Sequence, residues 1–262
     1  MSCHACGAPA TVRDGQHCAR CLLIAAVGGE EAMLISATDE APACELLSPI
    51  GDTPRATTFL AEQTWPLRRL VALKLFKNDF VCTRPQTRER RDLPRHPNIA
   101  NVIERGRIAG RPYVVTEYLA GGPITSCYDR HQLGSSARIE AGIHLSAALA
   151  FAHAHGIVHG HLIASNVLCE PRAPCVAKIV DFESAATVPD GHIRTFDVLI
   201  RADLEDMIDL VAALTSSPMA GVAPDERMAQ AIGALRGSTR SAAELRERLQ
   251  QLHAETADQP DS

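Results

Sequence analysis

Apolar and polar positions along this chain follow two different periods, and the change between them divides it. Val71–Phe76, Ala100–Arg107 and Pro112–Tyr118 are runs rich in branched or apolar residues with Gly, Pro or Asn at their ends, a pattern that predicts strands. From Ser135 to His155 the period becomes helical. Ile139, Ile143, Ala147 and Ala150 recur at three- and four-residue spacing, Ser135 or Ser136 can cap the start, and Gly156 can end it. Two further helices are predicted over Asp203–Leu214 and Asp225–Leu235, the latter followed by Gly237. A last helix starts behind Ser241 as its cap and carries Leu245, Leu249 and Leu252 on one stripe.

The first residues carry a different signal. Cys3-His-Ala-Cys6-Gly and Cys18-Ala-Arg-Cys21 are two C-x-x-C pairs with eleven residues between them. Each pair can form a tight turn that points two thiolates at one ion, and Gly7 suits the positive-φ position of such a turn. Together Cys3, Cys6, Cys18 and Cys21 make a tetrahedral Cys₄ set suited to structural zinc. A segment this small has little core, so the metal would supply most of its folding energy. His4 and His17 are backup ligands, and a redox-active set is the competing reading. Residues 1–26 are assigned to this ribbon, 27–43 to a linker, and 255–262 to a polar, disordered tail.

Composition narrows the function classes. The 262 residues are 46% hydrophobic and 22% charged, enough for a real core in an ordinary water-facing domain. A net charge of −5 argues against a nucleic-acid partner. No apolar run approaches the roughly 20 residues that span a bilayer, and Met1 is followed by cysteines rather than a basic leader, so a cytoplasmic protein is expected. Nine cysteines are an odd number, and the five beyond the ribbon (Cys44, Cys82, Cys127, Cys169, Cys175) are read as scattered, reduced and in part simply small buried side chains.

The densest chemistry lies in Ile157-Val-His159-Gly-His161-Leu-Ile-Ala-Ser-Asn166-Val-Leu168, followed by Ile179-Val-Asp181-Phe182-Glu183. Upstream stand Leu70-Val-Ala72-Leu-Lys74, Arg95-His-Pro-Asn-Ile99 and Arg111-Pro-Tyr-Val-Val-Thr-Glu117-Tyr-Leu119-Ala-Gly-Gly. Ala202-Asp203-Leu-Glu-Asp and Ser241-Ala-Ala-Glu-Leu follow downstream. In this order, over residues 44–253, these segments resemble the eukaryotic-like bacterial serine/threonine protein kinases. The resemblance implies an α+β, two-lobed fold over 44–254, with a small β-rich lobe at 44–118 and a mainly helical lobe at 119–254, preceded by the zinc ribbon. It also implies ATP and Mg²⁺ as ligands. Lys74 would meet the phosphates, and Asn166 and Asp181 would hold magnesium. Ala72 and Leu168 would flank the adenine, while Glu117 and Leu119 would offer it backbone hydrogen bonds. Gly51 would belong to the glycine-rich loop. The glutamate that pairs with the strand lysine falls at Thr87 by count from His96, or at Glu89 if its helix is two residues shorter.

Several family features are missing. The catalytic carboxylate position holds His161, and Ile163 replaces a lysine. An imidazole can accept a proton but brings no fixed negative charge. Of the three loop glycines only Gly51 remains. Thr53 and Ala56 occupy the others, and Pro54 removes a backbone donor. Residues 182–202 are short for an activation segment and contain no A-P-E motif.

The leading expectation is therefore a pseudokinase that binds ATP and Mg²⁺ and acts in signalling through a protein partner. A weakly active serine/threonine kinase with His161 as catalytic base is the alternative. A small-molecule phosphotransferase is a further one, because such enzymes share the H-G-D style loop and often follow Asp-Phe with Glu. A nucleic-acid reader built on the ribbon is disfavoured by the acidic charge.

Overall fold

A computed structural model of the chain describes residues 44–77, 94–108, 111–172, 175–182, 186–187, 193–217 and 225–257. Its elements fall into two compact units, with the chain passing from the first to the second at Tyr118–Leu119 and residues 94–100 counted in the second. The fold is α+β: one unit is a sheet, the other mainly helical.

The first unit is an antiparallel sheet in the order β1-β2-β3-β5-β4. Its strands are β1 (Cys44–Asp52), β2 (Ala56–Gln63), β3 (Arg69–Phe76), β4 (Val102–Ile108) and β5 (Arg111–Glu117). The two-residue period of a strand sorts the side chains of β3. Val71, Leu73 and Leu75 are buried with Leu46, Phe59, Ala61, Ile108, Tyr113 and Val115 in one core, while Ala72, Lys74 and Phe76 lie half-buried on the opposite face. β4 starts two residues later than the apolar run suggests. Ile99 and Ala100 are apolar for another reason: Ile99 bridges to Ile179, and the Ala100 N–H donates to the Ile179 carbonyl at 2.9 Å, both within the second unit.

The second unit contains β6 (Gly122–Pro123), α1 (Ile124–Arg130), α2 (Ser135–Ala154), β7 (Ile157–Val158), β8 (Val167–Cys169), β9 (Ala177–Ile179), β10 (Ala186–Thr187), α3 (Ile193–Ser216), α4 (Glu226–Gly233) and α5 (Ala242–Ala257). α2 runs through the core, with Ile139, Leu145, Ala148, Leu149 and Ala152 fully buried. Its cap position is Gly134, not a serine, and Ser136 instead uses its hydroxyl on His253 Nε2 at 2.8 Å. Gly156 ends the helix as expected, at φ 72°, with its N–H on the His153 carbonyl. Arg138 is 1% exposed. It donates to the carbonyls of Leu133 and Leu214 and to the Asp129 carboxylate, which fastens α2 to the end of α3.

α3 begins ten residues before the predicted Asp203. Ile200 packs on the core one turn ahead of Leu204, so the apolar stripe of Leu204, Met207, Ile208, Val211 and Leu214 extends backward. α4 is capped by Asp225, whose carboxylate accepts the Met228 N–H at 2.9 Å. Ser241 caps α5 through the Glu244 N–H at 3.1 Å. That helix continues to Ala257, past the boundary expected at 254 and into the tail expected to be disordered, because residues 253–257 contain no Gly or Pro to stop it. Among the described residues no helix is long and apolar enough to cross a membrane.

Candidate functional site

The second unit builds its site on one hairpin. β8 and β9 pair antiparallel, Val167 with Ile179 and Cys169 with Ala177. Asn166 stands just before β8 and Asp181 two residues after β9, so the open end of the hairpin carries both. The Val180 N–H donates to the Asn166 carbonyl at 2.9 Å and locks the two segments side by side. A 3₁₀ turn over Ala164–Asn166 brings the Asn166 amide nitrogen back onto the His161 carbonyl at 2.9 Å, which leaves its Oδ1 as the acceptor. Asp181 is held at φ 70°, a left-handed conformation that side chains other than glycine rarely adopt. Such backbone persists where surrounding contacts impose it, and it is concentrated at functional sites. Here Phe182, directly after it, is buried with its ring edge-on to His159 at 4.9 Å. An amide oxygen and a carboxylate on adjacent segments are the ligand types that magnesium prefers.

The loop that presents His161 is fixed from beneath. The His159 ring donates from Nε2 to the Val180 carbonyl at 2.9 Å and accepts the His161 N–H at Nδ1. That set requires a neutral ring, and burial accordingly holds the His159 pKa below its ordinary value. Asp203, fully buried, accepts the His159 N–H at 2.8 Å and the Gly160 N–H at 2.7 Å, and its Oδ2 also meets His153 Nε2 at 2.9 Å. Asp206 accepts the Leu162 N–H. Gly160 takes φ 77° to make the turn. His153 and His155 are absorbed by structure, the second through the Phe151 carbonyl. His161 and Ile163 are both exposed at the surface of this loop. These bonds fix the loop backbone from His159 to Leu162 and leave the His161 imidazole at its surface.

The remaining positions lie on the first unit or where the chain leaves it. Lys74 sits mid-strand opposite Thr58 of β2 and Val114 of β5, with its ammonium 5.5 Å from the Phe76 ring centroid. Ala72 shares its face. The turn after Gly51 is closed on itself. The Thr53 N–H donates to the Ala56 carbonyl, and the Ala56 N–H and, more weakly, the Arg55 N–H go to the Thr53 hydroxyl. Asp52 takes the Thr57 hydroxyl at 2.7 Å and Lys77 at 2.6 Å, and these partners hold its carboxyl below the usual range. Donors that could face an anion are turned inward, and a carboxylate stands beside them. Gly51 itself is not required by packing, since an added Cβ would meet Thr58 at an ordinary 3.8 Å.

The Glu117 carboxylate is engaged by Asn101, accepting its N–H at 2.7 Å and its side-chain amide at 3.0 Å. In the second unit Leu119 is buried, and Leu168 is half-buried on the face of β8 opposite Val167 and Cys169. Gly121 donates to the Cys169 carbonyl at 2.9 Å, so close that a Cβ there would lie 2.5 Å from that oxygen.

Glu89 and Thr87, the ribbon cysteines Cys3, Cys6, Cys18 and Cys21, the linker at 27–43 and Cys82 lie outside the described residues. Of the cysteines expected to be scattered, three are not. Cys127, Cys169 and Cys175 converge on one spot, with Cys127 and Cys175 joined as a disulfide. They lie far apart in sequence, and the C-x₅-C spacing of the last two was the one signal that could have raised them.

Comparison with known proteins gives a consistent picture. Residues 59–199, more than half of the chain, match the family model described as a protein kinase domain. Among curated proteins, the chain is 28% identical over 155 residues to "Probable serine/threonine-protein kinase PknB" of Lactococcus lactis, which covers 56% of this chain and 24% of that protein. It is 36% identical over 147 residues to "DNA damage-responsive serine/threonine-protein kinase RqkA" of Deinococcus radiodurans, covering 53% of this chain and 21% of that one. It is 31% identical over 134 residues to "Serine/threonine-protein kinase chk-2" of Caenorhabditis elegans, covering 45% and 28%. The aligned region spans less than a third of each of these relatives.

Proposed function

The chain belongs to the protein kinase domain family, and we propose that it is a pseudokinase member: it binds ATP with Mg²⁺, transfers little or no phosphate, and acts in signalling through contacts with a protein partner. The observation that carries this reading is that Asn166 and Asp181 lie side by side at one end of the hairpin, while the loop position that resembles the acceptor-orienting carboxylate holds an exposed imidazole, His161. Asn166 Oδ1 and the Asp181 carboxylate supply two oxygens for the ion, whose remaining positions would go to phosphate oxygens and water. Lys74 supplies the charge for the phosphates, with Ala72 and Leu168 as apolar contacts to the base and the backbone at Glu117 and Leu119 as its hydrogen-bonding edge. Gly51 contributes less than in the family because the turn beside it is closed by Thr53 and carries Asp52. The roles assigned to Glu89 as partner of Lys74 and to Cys3, Cys6, Cys18 and Cys21 as zinc ligands belong to the same reading.

Inactivity has two supports. His161 cannot provide the fixed negative charge that orients an acceptor hydroxyl. In addition, only residues 183–192 separate Phe182 from the start of α3 at Ile193, which leaves little chain for a platform to hold a peptide substrate.

A thermal-shift titration with ATP, with and without Mg²⁺, tests the binding half. A magnesium-dependent rise in melting temperature is expected, reduced in Lys74→Ala and Asp181→Ala. No rise at millimolar nucleotide would leave a scaffold without a ligand. Incubation with γ-labelled ATP tests the other half. Labelling of a protein acceptor that disappears in Asp181→Ala would favour the second reading, a weak serine/threonine kinase with the exposed His161 as base. Labelling of a small alcohol instead would favour the small-molecule phosphotransferase.

A further inference from the structure

The closed end of the β8–β9 hairpin holds a second cluster that the nucleotide reading does not use. The Sγ atoms of Cys127 on α1, Cys169 at the end of β8 and Cys175 just before β9 all lie within 4.8 Å of one another. Cys127 and Cys169 are fully buried and Cys175 is half-buried. These are three residues from two separate stretches of chain, brought together by the packing of α1 on the hairpin. The geometry points to a three-thiolate site for a thiophilic cation of the zinc class, which clamps α1 to the turn of the hairpin.

Two features favour an ion over a simple disulfide. The Cα atoms of Cys127 and Cys175 stand 7.5 Å apart, outside the range of about 4.4–6.8 Å that a disulfide spans. Two thiolates on one tetrahedral ion, with bonds of about 2.3 Å, sit about 3.8 Å apart and need that wider backbone. A disulfide also leaves one sulfur of three unused. Here that sulfur is Cys169, a buried free thiol. One ion would engage all three sulfurs. Once an external dithiol has reduced the Cys127–Cys175 bond with two electrons and two protons, becoming a disulfide itself, three S–H bonds would be replaced by three S–metal bonds, with three protons released to solvent. Three thiolates and a divalent ion carry one net negative charge, and Arg130 of α1 is the cation near Cys169. The fourth coordination position would fall to solvent on the side of half-buried Cys175.

The site also has a place in the architecture. Cys169 and Cys175 bracket the turn of the hairpin whose other end carries Asn166 and Asp181. Fixing the turn fixes the register that sets those two side by side.

The test uses the full chain, purified without oxygen under a thiol reductant, in a background in which Cys3, Cys6, Cys18 and Cys21 are all serine. Elemental analysis should then find about one zinc per chain. Adding Cys175→Ser, a half-exposed change that spares the core, should remove most of it, and Cys127→Ala should do the same. Cobalt substitution should give thiolate-to-metal charge-transfer absorption that both variants lose. Circular dichroism before metal addition verifies that each variant is folded. Added zinc should raise the melting temperature of the background protein and leave that of Cys175→Ser unchanged. A folded, reduced background protein without zinc, or a Cys127–Cys175 disulfide that survives reduction, overturns the site. The magnesium-dependent thermal shift with ATP is read independently of the zinc content, so this inference and the pseudokinase reading fail separately.

Discussion

Asp203 receives the backbone N–H of His159 at 2.8 Å on the carboxylate oxygen that also meets His153 Nε2. One fully buried side chain on α3 thus holds the loop that presents His161 and Asn166. The Gly160 N–H occupies its other oxygen. Asp203→Asn would put an amide NH₂ against one of these donors, leaving a buried N–H unpaired. The expected cost is about 2–3 kcal/mol, read as a lower urea midpoint with unchanged m-value. Asp203→Ala should cost more, because all three partners lose their acceptor. A shift no larger than that of a surface substitution would show that the loop is held by other contacts.

The turn at Asp52 predicts a gain rather than a loss. Its carboxylate is tied to Lys77 and Thr57 and, on the proposed reading, would stand beside the phosphates. Asp52→Ser removes the negative charge and releases the Lys77 ammonium. Affinity for MgATP should rise, by an amount that shrinks as salt is added, measured by calorimetry. An unchanged affinity would mean that this turn does not border the nucleotide.

These two sites also show what the sequence could and could not tell. The motif order placed Lys74, Asn166, Asp181 and Asp203 correctly on strand, turn and helix, because each sits in a local pattern that its neighbours impose. The two missing loop glycines predicted a poor phosphate cradle. They did not predict how the turn closes, since the hydroxyl of Thr53 satisfying its own turn is a matter of rotamer and distance. The backward extension of α3 was legible in principle: Ile200 continues the stripe of Leu204 and Met207. It was hidden by the expectation of an activation segment there. The cysteine cluster was legible only as the C-x₅-C spacing of Cys169 and Cys175, because 42 residues separate Cys127 from Cys169 and nothing local joins them.

The pH dependence of stability should be set by one buried imidazole, His159, and one half-buried one, His96. Burial holds His159 and His96 below the ordinary imidazole value of 6.5. Below that pH the unfolded chain takes up protons that the folded chain refuses, so stability falls as pH drops. Asp52 and Glu62, whose partners lower their pKa values, lose their pairing only below the usual carboxylate range. They therefore leave the interval between pH 5 and 7 to the imidazoles. The melting temperature should be level above about pH 7 and decline from about pH 6.5 downward. His96→Asn keeps an acceptor beside the Asn98 N–H and removes one imidazole, so its decline should be shallower. A melting temperature that rises on acidification would contradict the neutral state of both rings.

Two glycines give opposite expectations, and the contrast tests how tightly the segment after Leu119 lies on β8. At Gly121 a Cβ would sit 2.5 Å from the Cys169 carbonyl oxygen and 2.9 Å from its carbon, with the Gly121 N–H already bound to that oxygen. Backbone cannot yield as the end of a flexible side chain does, so Gly121→Ala must part β6 from β8, at about 2–3 kcal/mol. At Gly134, in the cap position of α2 with φ −67°, nothing lies within 4 Å of the added atom. Gly134→Ala should be neutral or stabilise by about 0.5 kcal/mol through the unfolded chain. Chemical denaturation of the two variants side by side measures the difference. Because Cys169 is the residue that Gly121→Ala displaces, the same variant should also retain less zinc when Cys3, Cys6, Cys18 and Cys21 are serine. Equal stability of the two alanine variants would mean that the close approach at Gly121 is relieved by a small backbone shift, and would detach the β6–β8 pairing from any role in holding the hairpin.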